Sequence, residues 1–142
     1  CDQFLGIPKN RAPDVVVATG MTEDGWVVVD PRTLETKFPG VYAVGDLAAT
    51  GAPKAGVFAE GAAKAVAKNL SALINGQTPS AQNPGYGTCY VEFGDNRIGR
   101  VDVDFFGGAK PTGTFHEPSE DMRADKHTFG AQRRARWFGR AG

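Results

Sequence analysis

Phe58, Ala62, Val66, Leu70 and Ile74 recur every fourth residue, with Val57, Ala65 and Leu73 beside them. An apolar stripe at that spacing occupies one face of a helix. It predicts an amphipathic helix over about residues 56–75. Glu60, Lys64 and Lys68 form an i, i+4 ladder on its polar face. Asn75-Gly76 supplies a left-handed cap at its end. Gly61, inside the stripe, costs about 1 kcal/mol relative to Ala. It either admits a neighbouring backbone or ligand or is simply tolerated.

Upstream of that helix the elements are short. Residues 1–12 read as irregular. Pro13-Asp14 ahead of three valines, closed by Gly20, predicts a short helix rather than a strand. Asp24-Gly25 is a turn signal, and Trp26-Val27-Val28-Val29 reads as a strand ending at Asp30-Pro31. Pro39-Gly40 turns the chain into a second short strand, Val41-Tyr42-Ala43-Val44, which ends in Gly45-Asp46. Residues 47–56 read as a small-residue loop.

Downstream, residues 76–87 read as a linker, the best internal boundary. Cys89, Val91 and Phe93 alternate with polar residues, as do Val101, Val103 and Phe105 around a Gly94-Asp95-Asn96 turn. That predicts an antiparallel hairpin with one apolar and one acidic face, half exposed. Ser119 can N-cap a final helix with Glu120 and Asp121 in its first turn and basic residues in its last. The sum is an α+β chain: short strands and an amphipathic helix over 1–77, then a hairpin and a C-terminal helix over 78–142.

Composition excludes several classes. Net charge is zero, but residues 126–142 carry five basic side chains and no acid, so the rest is a −5 body. A globally basic nucleic-acid binder is not indicated, and no nucleic-acid motif accompanies the tail. No apolar run reaches the ~18–20 residues of a membrane-spanning helix. Two Cys and two His, without CxxC spacing, predict no metal site. Few cysteines and no leader pattern predict a cytoplasmic location.

The densest chemical signal is Val41 to Asp46 followed by the loop and the start of the long helix. In α/β sheets ligands bind beyond strand C-termini, where helix N-terminal amides are free. Gly45 lets a ligand approach the backbone, and Asp46 can accept from a sugar-like hydroxyl. The same pair also suits a plain turn.

Val41 to Asp46 resembles the second flavin-binding motif of the two-dinucleotide-domain flavoprotein oxidoreductases (the pyridine nucleotide-disulfide oxidoreductases). Pro53-Lys54-Ala55-Gly56-Val57-Phe58-Ala59-Glu60-Gly61 narrows the resemblance to the branch with sulfide:quinone oxidoreductases, flavocytochrome c sulfide dehydrogenases and type II NADH dehydrogenases. Gly25 to Leu34 resembles the segment before that motif. The resemblance implies the C-terminal portion of an α/β flavoprotein using FAD. Gly45 and Asp46 would meet the ribityl chain, and Lys54, Ala55 and Gly56 the flavin ring, with helix amides and Lys54 stabilising negative charge on the reduced flavin. Lys54 is otherwise a solvated loop lysine. Gly87 to Asp95 resembles the strand where sulfide:quinone oxidoreductases carry one redox cysteine, which makes Cys89 the catalytic candidate. The alternative is a buried strand cysteine packing as a small hydrophobe.

No Gly-x-Gly-x-x-Gly fingerprint is present. The chain therefore reads as the C-terminal piece of a longer flavoprotein, binding FAD weakly or not at all alone. Its expected partners are the N-terminal remainder, a small-molecule donor and a quinone. A homodimer paired through the strand edges at 26–29 or 41–44 is a further expectation. The Arg133–Arg140 tail, with Trp137 and Phe138, suits the anionic inner face of a membrane. It equally suits a helix packing on its own acidic body. A non-catalytic oligomerisation or membrane-docking module is the competing function.

Overall fold

The computed structural model describes residues 3–7 and 10–140, in two units divided between Pro84 and Gly85. It is an α+β architecture in which each unit has its own small sheet and one long helix.

The first unit begins with the one-turn helix α1 (Asp14–Val17). Strands β1 (Thr22–Glu23) and β2 (Trp26–Val28) form an antiparallel hairpin. Its turn residues Asp24 and Gly25 both have positive φ, 49° and 87°, the conformation a two-residue hairpin demands. A 3-10 turn over Gly45–Leu47 leads into β3 (Ala48–Ala49), which pairs parallel to β2. Val27 and Ala48 are register partners and almost fully buried. With Val29 and Ala43 they make one core cluster.

The Val41–Val44 run is not a strand of this sheet. It pairs only through the Glu35–Tyr42 bridge, and the place beside β2 is taken by Ala48–Ala49, in the stretch expected to be loop. Ala43 packs into the first cluster, while Tyr42 and Val44 pack against a second one, where Leu34, Ala62 and Val66 are buried. That cluster clasps the extended segment onto α2 (Gly56–Ile74), which spans nearly the predicted range. Gly76, at φ 69°, follows its end. Gly61 faces Pro84: a Cβ there would meet the proline ring at 3.2 Å. Close approach, by a side chain of the same unit, accounts for that glycine.

Residues 77–84 fold back onto the first unit. Asn69, buried in α2, donates to Ala81 O and accepts from Ala81 N, both at 2.9 Å. Asn83, also buried, donates from its side chain to Pro31 O at 3.0 Å, and its backbone N–H reaches Arg32 O.

The second unit is a three-stranded antiparallel sheet, β4 (Tyr86–Glu92), β5 (Ile98–Asp104) and β6 (Thr112–Ser119), with helix α3 (Glu120–Phe138). The hairpin matches expectation; β6 is an addition to it. Ser119 caps α3, its Oγ accepting from Met122 N at 3.2 Å, and Gly139 closes it at φ 63°.

The faces of this sheet are used in a way the alternation alone does not indicate. The polar face, with Tyr90, Arg100 and Asp102, is the one α3 engages. Tyr90 Oη donates to Asp125 of α3 at 2.7 Å, and Arg100 Nη1 donates to the same oxygen at 2.7 Å. The Phe129 ring meets Tyr90 edge-on, centroids 5.3 Å apart. The apolar face carries Cys89, Val91 and Phe115, all exposed. Gly99 on that face leaves room for the Phe93 and Phe115 rings, which would lie 2.9 and 3.1 Å from a Cβ.

Candidate functional site

The loop after Val44 and the start of α2 come together in one cleft. Gly45, Asp46, Lys54 and Ala55 all line it, with Phe58, Ala59 and Asn83. Gly56 opens α2 immediately beside them. The five residues singled out from sequence thus converge around one helix end. The closed space within the cleft is about 10 Å³, room for about one water molecule. A larger group would lie along its rim.

Local geometry explains the convergence. Gly45 sits at φ 79°, a conformation that disfavours a side chain. The turn it starts leaves the Asp46 carboxylate exposed, and among the described residues it takes no partner. Ala55 occupies the N-cap of α2 without a side-chain hydrogen bond, and the first turn carries no acid. The leading amides of α2 therefore remain available to an acceptor and carry the positive end of the helix dipole.

Lys54 is exposed but tied down. Its Nζ donates to Asp46 O at 2.6 Å and to Ala48 O at 3.3 Å, and stands 3.7 Å from the centre of the Trp26 ring. The ammonium clamps the 45–48 turn while adding positive charge beside the helix end. Replacing Lys54 with Met is expected to lower stability of the first unit by about 1 kcal/mol, from lost charged hydrogen bonds and the aromatic contact. Urea unfolding followed through Trp26 fluorescence measures it, and an unchanged midpoint would show the clamp idle. Trp26 and Asn83 were not legible as site residues, because each reaches the cleft from a distant part of the chain.

Cys89 lies in the second unit, on β4 opposite Val101. Its thiol is free and exposed, so it is not the buried hydrophobe that strand alternation suggested. Cys1 lies outside the described residues. Behind Cys89, on the other face of the sheet, a polar network replaces an apolar core. Asp102, its side chain 13% exposed, accepts from Thr88 Oγ1 at 2.6 Å and from Arg100 Nη2 at 2.7 Å. His116 Nε2 lies 2.8 Å from the same carboxylate. Burial pushes the Asp102 pKa up, but the bonds from Arg100, Thr88 and His116 more than offset it and hold it well below the usual carboxylate range. Asp102 and Asp125 in turn raise the Arg100 pKa. Burial, then the bond to Asp125, pushes the Tyr90 phenol up to about 12. All these groups are tied to one another, so the network is structural.

No family model matches the chain. Among curated proteins it is 29% identical over 131 residues to the mitochondrial sulfide:quinone oxidoreductase of Mus musculus, covering 86% of this chain and 29% of that protein. It is 30% identical over 101 residues to the mitochondrial sulfide:quinone oxidoreductase of Schizosaccharomyces pombe, covering 68% and 22% respectively.

The chain is sulfide:quinone oxidoreductase-like.

This likeness runs over most of its length, and the chain spans less than a third of the curated relatives it matches. It gives the sulfide:quinone oxidoreductase-like chain an oxidoreductase-like origin.

Proposed function

We propose that this chain is the C-terminal part of an FAD-dependent oxidoreductase that passes electrons from sulfide, or another small reductant, to a quinone-type acceptor. The observation that supports it most is the meeting of Gly45-Asp46 with the uncapped start of α2 in one cleft. Those groups fit FAD. A glycine at positive φ leaves the backbone approachable, an unpaired carboxylate accepts from hydroxyls, and helix amides favour an anionic edge. FAD, when bound, supplies the two-electron carrier.

The chain's own residues hold and bias it. Asp46 accepts hydrogen bonds from the ribityl hydroxyls. The amides at Gly56 and Val57, with the Lys54 charge behind them, favour negative charge at the ring. Cys89, an exposed thiol on a strand, is the sulfur-handling residue of this reading. The Arg-rich end of α3, where Trp137 and Phe138 are 57% and 68% exposed, docks on the anionic cytoplasmic face of a membrane. Among the described residues no helix is long and apolar enough to cross one.

The test uses the complete polypeptide that carries this chain. It should purify with flavin absorbance, and Asp46→Ala should weaken FAD retention about tenfold or more, the effect of losing hydrogen bonds to a charged group. Cys89→Ser should abolish sulfide-dependent quinone reduction while keeping the flavin. Full FAD retention in Asp46→Ala overturns the cofactor assignment. Unchanged turnover in Cys89→Ser removes Cys89 from the reaction.

A further inference from the structure

The second unit contains a cavity of about 370 Å³ between the β4–β5 turn and one face of α3. That volume is in the range of small-ligand sites. Its wall carries Arg97 from the turn and Arg123, Lys126 and Arg134 from the helix, with His127 beside them. Glu92 is the one acid on the wall, and Lys126 already pairs with it. Among the described residues Arg97, Arg123 and Arg134 take no carboxylate partner. Three guanidinium groups therefore share one concave space whose single acid is already paired with Lys126.

Two further observations mark the space as built for an occupant. Arg123, His127, Gly130 and Arg134 fall at i, i+4, i+7 and i+11, one stripe of α3. Gly130 sits in the middle of that stripe, inside a helix, where glycine is a poor choice. A Cβ there would meet nothing within 4 Å, so no neighbouring atom of the chain requires a glycine. Its missing side chain opens the cavity wall. Buried Ile98 lines the same space and gives it an apolar surface.

We propose that this cavity binds a phosphate-bearing anion, its oxygens held by Arg97, Arg123 and Arg134. The guanidinium fork matches phosphate geometry and keeps its charge at any physiological pH. A free organic phosphate and the headgroup of an anionic lipid both present that chemistry. The proposal stands apart from the flavin reading, since it uses no residue of the α2 cleft and does not depend on Cys89.

The full chain is titrated by calorimetry with pyrophosphate and, separately, mixed with phosphatidylcholine vesicles with and without phosphatidic acid. Binding is expected to at least one of the two phosphate probes. Arg123→Gln combined with Arg134→Gln should weaken it roughly tenfold or more. Gly130→Leu fills the cavity without removing a cation and favours the helix, so it should block binding while far-UV circular dichroism shows α3 intact. Pyrophosphate binding lost in Gly130→Leu assigns a free phosphate. Phosphatidic acid-dependent vesicle binding lost in Gly130→Leu assigns a lipid headgroup. If Gly130→Leu in a folded chain removes the binding of neither probe, or neither probe binds at roughly millimolar concentration, the proposal is overturned; vesicle binding through the Arg-rich end of α3 survives the substitution and does not count for the cavity.

Discussion

Asp102→Ala is expected to loosen α3 on its sheet, through Arg100, and to cost the second unit about 2 kcal/mol, in the range for hydrogen bonds to a charged group. The carboxylate serves Thr88, Arg100 and His116 at once. Its loss takes an acceptor from the Thr88 hydroxyl, the His116 imidazole and one side of the Arg100 guanidinium, groups only partly shielded from water. Arg100 would keep Asp125, but it would no longer be held in register across the sheet. For a unit of about 60 residues the whole stability is roughly 3–9 kcal/mol, so this one change should leave it marginal. Thr88→Val, which removes a single contact, should cost only about 1 kcal/mol. Glu117→Ala, at an exposed site on β6, should stay within about 0.5 kcal/mol.

The acid behaviour follows from the same carboxylate. Its folded pKa lies below its unfolded value, near 3.9 for a free Asp. Its contribution is therefore complete above about pH 4 and is lost as pH falls through the lower folded value. Wild-type α3 should stay docked through pH 4 and loosen only beneath it, and Asp102→Ala should lack that acid-dependent component. Helix melts by circular dichroism at several pH values check both. Equal stability of Asp102→Ala and wild type would show that Asp125 and the aromatic contacts hold α3 without this carboxylate.

How much of this was readable beforehand depends on what local pattern can express. The stripe of α2 and the Ser119 cap of α3 are local, and both elements stand nearly where they were expected. Strand β6 was not readable: Thr112–Ser119 has no apolar alternation and contains Pro118, because its inward residue at His116 meets a carboxylate and not a hydrophobe. The hairpin's alternation showed that its two faces differ. It could not show which one α3 would engage, and Asp125 decides that by meeting Tyr90 and Arg100. Val41–Val44 has the composition of a strand, yet Tyr42 and Val44 pack against Leu34 and α2, and only Ala43 meets the core of the sheet. The cleft was legible at Gly45-Asp46 and at the helix start. It was not legible at Trp26, whose part depends on where Lys54 turns.

Leu34 links that fold to the cleft, and its replacement should produce the other large effect. Leu34 is fully buried and has a positive φ of 66°, rare for such a side chain. The loop forces this conformation. Asp30 Oδ1 accepts from the amides of Arg32 at 2.9 Å and Thr33 at 2.7 Å, and Leu34 N reaches back to Asp30 O at 2.8 Å. The side chain then plugs the space between Tyr42, Val44, Ala62 and Val66. Leu34→Ala should cost about 3 kcal/mol through the cavity it leaves. Leu34→Gly removes one more methyl, and at an ordinary position glycine would be worse than alanine by about 0.5–1 kcal/mol. Here the left-handed backbone penalises alanine by a similar or larger amount, roughly 1–2 kcal/mol. Leu34→Gly should therefore be no less stable than Leu34→Ala, a reversal of the usual order. Because this plug fastens the segment ending in Gly45-Asp46 to α2, both variants should also weaken FAD retention in the complete polypeptide. Urea midpoints of the two variants decide the backbone claim. A glycine variant clearly weaker than the alanine one would mean that the loop relaxes once the leucine is gone.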